Sequence, residues 1–142
     1  MYNKQSISQS LPEFVILSAE RGSNNPMQNS VFTDELESIL KSNGYAYKKV
    51  EGRYKNQKEE SFVVILNRSD SLTQLIRLAS KFDQESILLV NSDRKAELIY
   101  TADPLDGYVL GGTFRLVDGD LIQRTDLSYT YDPNSGYYYS VY

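Results

Sequence analysis

Cysteine and histidine are both missing from the 142 residues. Without cysteine there are no disulfides, no thiolate metal sites and no thiol nucleophile, a usage that fits a cytoplasmic protein. Without histidine the chain lacks the commonest general base near neutral pH and the commonest transition-metal ligand. Ser-His-Asp and Cys-His catalysis are therefore excluded within one chain. Long apolar runs are missing too. None approaches the roughly 18 residues that span a bilayer, and Met1 to Ser10 is polar, without the apolar centre of a signal peptide. A strong excess of either charge is also lacking. Fifteen basic against nineteen acidic residues leave a net charge of −4, which disfavours nucleic acid as a partner and is too mild for a DNA mimic. No metal and no cofactor is expected. Asp103, Asp106, Asp118 and Asp120 do not have the spacing of an EF-hand loop, and Gly107, Gly111 and Gly112 lack the lysine of a phosphate-binding loop.

What remains is the composition of a soluble globular domain, 40% apolar and 24% charged, long enough to bury one core. A single domain is expected, with residues 1–12 as a flexible lead-in, 13–101 as the core and 102–142 as a C-terminal extension. The clearest local signal is Phe14-Val15-Ile16-Leu17, an unbroken apolar run that reads as a strand buried on both faces. It opens into a polar loop from Gly22 to Asn29. A helix starting near Asn29 or Ser30 carries Phe32, Leu36, Ile39 and Leu40 on one stripe and stops at Asn43-Gly44. Residues 45–55 alternate and read as a half-exposed strand, 61–66 as a buried one. A second helix after Ser69 or Ser71 presents Leu72, Leu75, Ile76, Ala79 and Phe82. Strands over 87–90 and 95–101 follow.

The order β-α-β-β-α-β predicts an α+β fold, the ferredoxin-like split β-α-β with one added strand, sheet order 5-4-1-3-2 and both helices on one face. Beyond residue 101, a hairpin around Asp118-Gly119 is expected. Six of the twelve tyrosines lie between Tyr129 and Tyr142. That segment reads as a terminal hairpin or as a tail that orders on a surface, with Tyr129, Tyr131, Tyr137, Tyr138 and Tyr139 as interface residues, since tyrosine offers amphipathic contact area at modest entropic cost.

Strand direction makes a geometric prediction. The ends of the first, second and fifth strands and the starts of the third and fourth share one edge. That edge gathers Glu20 and Arg21, Arg53 and Tyr54, Glu59, Glu60 and Ser61, Gln84, Glu85 and Ser86, then Tyr100 and Thr101, with the loop that ends at Asn29 above it. Glu20, Arg21, Asn29, Arg53, Tyr54, Glu60, Gln84, Glu85 and Tyr100 are the candidate ligand or partner residues, because arginine gives bidentate hydrogen bonds to phosphate or carboxylate. The bland alternative is a set of solvated ion pairs at strand ends. Glu20 and Glu60 form a possible acid–base pair, but with no histidine and no evident nucleophile no residue is assigned as catalytic.

The segments Leu17-Ser18-Ala19-Glu20-Arg21-Gly22, Val50-Glu51-Gly52-Arg53-Tyr54, Glu59-Glu60-Ser61-Phe62 and Gln84-Glu85-Ser86 resemble a family of small uncharacterised phage and bacterial proteins. The resemblance spans residues 14 to about 101 and implies an accessory protein working in bacterial cytoplasm. The leading expectation is a non-catalytic protein, of phage origin, that binds a host protein or self-associates. The alternatives are an anion- or nucleotide-binding protein and a carboxylate-dependent enzyme.

Overall fold

A computed structural model describes residues 13–54, 57–66, 71–102, 108–117 and 128–141. The expected lead-in over 1–12, the hairpin about Asp118-Gly119 and the four aspartates 103, 106, 118 and 120 lie outside the described residues.

The buried run at the start becomes β1 (Phe14–Ser18), and Asn25-Pro26, inside the loop expected from Gly22 to Asn29, proves to be a helix start. The Asn25 side chain accepts a hydrogen bond from the Gln28 amide, the Gln28 side-chain oxygen accepts one from the Asn25 amide, and Pro26 sits in the first turn where its missing N–H costs nothing. Helix α1 (Pro26–Ser42) thus begins a turn earlier than Asn29. It ends at Asn43, with Gly44 at φ 74°, a left-handed residue that closes the helix at no steric cost. There follow β2 (Tyr47–Tyr54), β3 (Gln57–Ile65), α2 (Ser71–Lys81), β4 (Ser86–Val90), β5 (Lys95–Tyr100), β6 (Tyr108–Val117), β7 (Tyr129–Asp132) and β8 (Tyr137–Val141).

These strands form a closed barrel in the order β1-β3-β2-β7-β8-β6-β5-β4, and every pairing is antiparallel. The expected ferredoxin-like α+β fold with an open sheet is therefore wrong. The run β5-β4-β1-β3-β2 is only an arc of the ring. Its two ends carry backbone N–H and C=O groups that an open sheet would leave exposed. Here β7 pairs with β2 through Glu51↔Tyr131 and Arg53↔Tyr129, β6 pairs with β5, and β8 joins β6 to β7. Closure satisfies both edges. Gly111 and Gly112 lie inside β6, where the register with β5 shifts between Ala96 and Glu97; such an irregularity bends a strand around a barrel wall.

Alternation divides the apolar residues into two clusters. Val15, Leu17, Phe62, Val64 and Ile87 face outward and are covered by Leu36 and Leu40 of α1 and Leu75 and Ala79 of α2. Phe14, Val50, Val63, Val90, Ala96, Phe114 and Tyr139 point inward and fill the lower lumen. Phe114 lies parallel to Tyr139 at 5.0 Å and edge-on to Phe14 at 5.5 Å, geometries favoured by the ring quadrupole. On the same inward face, Lys48 Nζ meets Asp132 Oδ2 at 2.7 Å, and the Asp132 carboxylate is fully buried. Asp132 also accepts from the Asn134 amide and the Ser135 hydroxyl, so it is bound on several sides, which a buried charge requires. Among the described residues no helix is long and apolar enough to cross a membrane.

Candidate functional site

The barrel is packed at one end and open at the other. β1, β2 and β5 finish at the open end, and β3, β4, β6 and β7 start there. A cavity of about 490 Å³ occupies the upper lumen, within the range of about 300–1,000 Å³ common for small-molecule sites, which favour barrel mouths. Its wall is apolar below, with Ile16, Leu88, Phe114 and Tyr139, and polar at the rim, with Ser18, Glu59, Ser61, Gln84 and Ser86. That polarity follows from strand parity. In β3 the inward positions run Glu59, Ser61, Val63, changing from charged to hydroxyl to apolar with depth. Gly52 stands opposite Glu59 across the β2–β3 ladder and leaves the mouth clear at that point.

The Glu59 carboxyl is the most perturbed acid of the site. Burial, reinforced by the negative charge of Glu20, pushes it from its ordinary 4.5 up to about 7. A carboxyl so placed changes charge in the neutral range, where a group that meets a cationic ligand or a moving proton is most responsive.

Glu20 ties this rim together. Its carboxylate accepts from the Glu60 amide at 2.7 Å, its amide donates to Ser18 Oγ at 3.0 Å, and its carbonyl accepts from Gln84 Nε2 at 2.8 Å. Ser18 Oγ in turn donates to the Glu60 carbonyl at 2.8 Å.

The residues read from sequence separate into those at the mouth and those beside it. Glu20, Arg53 and Gln84 are at the mouth. Arg53 lies 4.9 Å above the ring of Tyr129, whose hydroxyl donates to Glu51 at 2.8 Å and is pushed up to about 12 by burial and by that bond. Glu60 faces outward and sits 3.6 Å from Lys49, which also pairs with Glu37 at 3.3 Å. Tyr47 donates to Glu37 at 2.8 Å, and that bond is the main reason the Glu37 carboxyl is held below its ordinary value. Arg21 is exposed and reaches Asp83 at 3.4 Å. Asn29 spends its side chain on the Arg21 backbone, accepting from the amide at 2.9 Å and donating to the carbonyl at 3.1 Å. Tyr54 closes β2 opposite Gln57. Glu85 and Tyr100 are exposed, and the Glu85 carbonyl accepts from the Thr101 amide at 2.9 Å.

Of the tyrosines expected at an interface, Tyr129 and Tyr139 are buried in their own barrel, Tyr131 and Tyr138 are half-buried against each other at 4.6 Å, and Tyr137 is exposed. Sequence reasoning placed Glu59, Ser61 and Ser86 at the shared edge without assigning them a role, missed Gly52, Ser18 and Phe114, and gave Tyr139 to an interface instead of the cavity wall. The available signal was alternation: Glu59 and Ser61 share the parity of Val63, so they turn toward the core.

A model of the S-adenosylmethionine lyase family matches residues 15–142. The match covers β6 to β8 as well, beyond the limit near residue 101 set by the resemblance of the four short segments. It overturns the expectation of a non-catalytic binding protein, because this is a family named for an enzyme. No curated protein matches the chain.

Proposed function

The chain belongs to the S-adenosylmethionine lyase family, and on that premise we propose that the barrel mouth binds S-adenosylmethionine and breaks one of its carbon–sulfur bonds without water. The observation that carries this reading is the cavity of about 490 Å³, apolar at depth and ringed at its rim by Glu59, Gln84 and serines. The ligand has a matching polarity. Its purine is flat and apolar on its faces, which suits Phe114 and Tyr139. Its sulfonium and amino groups are cationic, which suits the Glu59 carboxylate. Its carboxylate suits the serine hydroxyls at the rim.

The chemistry needs neither histidine nor cysteine. The electron pair of the breaking bond goes to sulfur, and a neutral thioether leaves. The carbon left behind is satisfied from within the same molecule, by ring closure or by loss of a neighbouring proton. Charge is therefore consumed on the way to the transition state. Water would hold the sulfonium ground state back by solvating it. The wall of Ile16, Leu88 and Phe114 does not, so the step is favoured by exclusion of water and by positioning.

Incubation with S-adenosylmethionine, followed by mass spectrometry, tests the reading. The expected result is a thioether nucleoside, with no oxygen label in either product when the reaction runs in labelled water. Glu59→Gln should lower kcat/KM by about tenfold or more, the worth of one hydrogen bond to a charged group. A folded wild-type protein that leaves the compound intact would end the proposal.

A further inference from the structure

Glu20 stands outside the lining of this cavity, yet its carboxylate, amide and carbonyl are each bonded to the rim. The β1–β3 ladder ends at Ser18↔Ser61. Past that rung the backbones are held by side chains instead: Glu20 Oε2 takes the Glu60 amide and Ser18 Oγ bridges the Glu60 carbonyl to the Glu20 amide. The Glu20 carbonyl then takes Gln84 Nε2 from the approach to β4, the strand on the other side of β1. Three segments, the end of β1, the first half of β3 and the approach to β4, are thus fixed relative to one another by one residue. Fixing the Glu60 backbone fixes the direction of the preceding side chain, Glu59.

We propose that Glu20 is a positioning residue for the mouth, holding Glu59 and Gln84 at the spacing that receives the cationic amino-acid end of the ligand. The proposal rests on the reading of the mouth given above. Glu20 acts through Glu59 in two ways, by geometry and by charge. Among the described residues, the charged and titratable groups that share a cavity wall with Glu59 are Lys49, Glu51 and Arg53 on β2, Lys58 and Glu60 on β3, Tyr129 and Tyr131 on β7, Tyr139 on β8 and Glu20 beyond β1. Among these, Glu20 is the one that joins burial in keeping the Glu59 carboxyl protonated.

Glu20→Gln separates the two contributions, since its amide oxygen still accepts from the Glu60 N–H while the charge is gone. Carboxyl-selective NMR titration of Glu59 in the ligand-free protein is the readout. In Glu20→Gln the Glu59 titration should move to lower pH, and the pH profile of kcat/KM should move the same way with kcat kept within about threefold. Glu20→Ala, which loses the acceptor too, should raise KM about tenfold or more, and Glu20→Gln should recover most of that loss. Superimposable Glu59 titrations in wild type and Glu20→Gln, or Glu20→Ala that changes melting temperature but neither KM nor the titration, would overturn the assignment. The NMR arm needs no turnover, so failure of the lyase reading leaves it standing as an independent test.

Discussion

Gly52 faces Glu59 directly across the β2–β3 ladder, and a Cβ added at Gly52 would lie 3.3 Å from Ser61 Oγ and 3.8 Å from Glu59 Cγ. The first of these distances is tight. The glycine therefore serves the opening of the mouth, where a side chain would crowd the two polar groups that a ligand meets first.

Gly52→Val should weaken ligand binding by about tenfold or more while leaving the melting temperature within a few degrees, because a β-branched residue suits a strand and offsets the crowding. Calorimetric titration beside a thermal melt decides. Unchanged affinity would show that nothing enters past Gly52.

The raised proton affinity of Glu59 makes stability depend on pH with a definite sign. Its carboxyl titrates at about 7 when folded against 4.5 ordinarily, so between those values the folded protein holds a proton that the unfolded chain releases. Stability from this group is complete below about pH 4.5 and is lost as pH rises to about 7. The difference corresponds to roughly 3 kcal/mol. Glu59→Gln should be the more stable protein at pH 8 and should lose less stability between pH 5 and 7 in urea titrations. Parallel pH dependence in the two proteins would refute the assignment.

The two arginines that look alike in the sequence should behave differently. Arg21→Ala removes an exposed pair with Asp83, costs roughly 0–1 kcal/mol and should leave ligand affinity alone. Arg53→Ala removes a guanidinium that stacks on the cavity-lining Tyr129, loosens that wall and should weaken binding severalfold. Equal effects on affinity would mean that the site extends to Arg21.

Deleting residues 129–142 should abolish the cooperative melt. β7 and β8 are the bridge between β2 and β6, and Tyr139 is part of the lumen packing. A truncated protein that still unfolds in one sharp calorimetric transition would contradict closure of the barrel.

Local features were legible in the residues themselves. The unbroken run Phe14 to Leu17 makes a strand buried on both faces. The stripe Leu72, Leu75, Ile76 and Ala79 makes a helix with one apolar side, and Gly44 marks a helix end. The common edge of Glu20, Arg53 and Gln84 follows from strand direction alone, because consecutive antiparallel strands must return their ends to one side.

Closure was decided only in three dimensions. The pairing Glu51↔Tyr131 joins residues far apart in the chain, and no turn signal between them announces it. The tyrosines of β7 and β8 are equally compatible with a partner's surface and with a barrel wall, since tyrosine suits any boundary between apolar and wet surroundings. Parity then decided what the edge could do. Residues side by side in sequence, Glu59 and Glu60, face opposite sides of the same strand, one into the lumen and one to solvent. Only the folded register says which is which, because a shift of one residue exchanges the two faces.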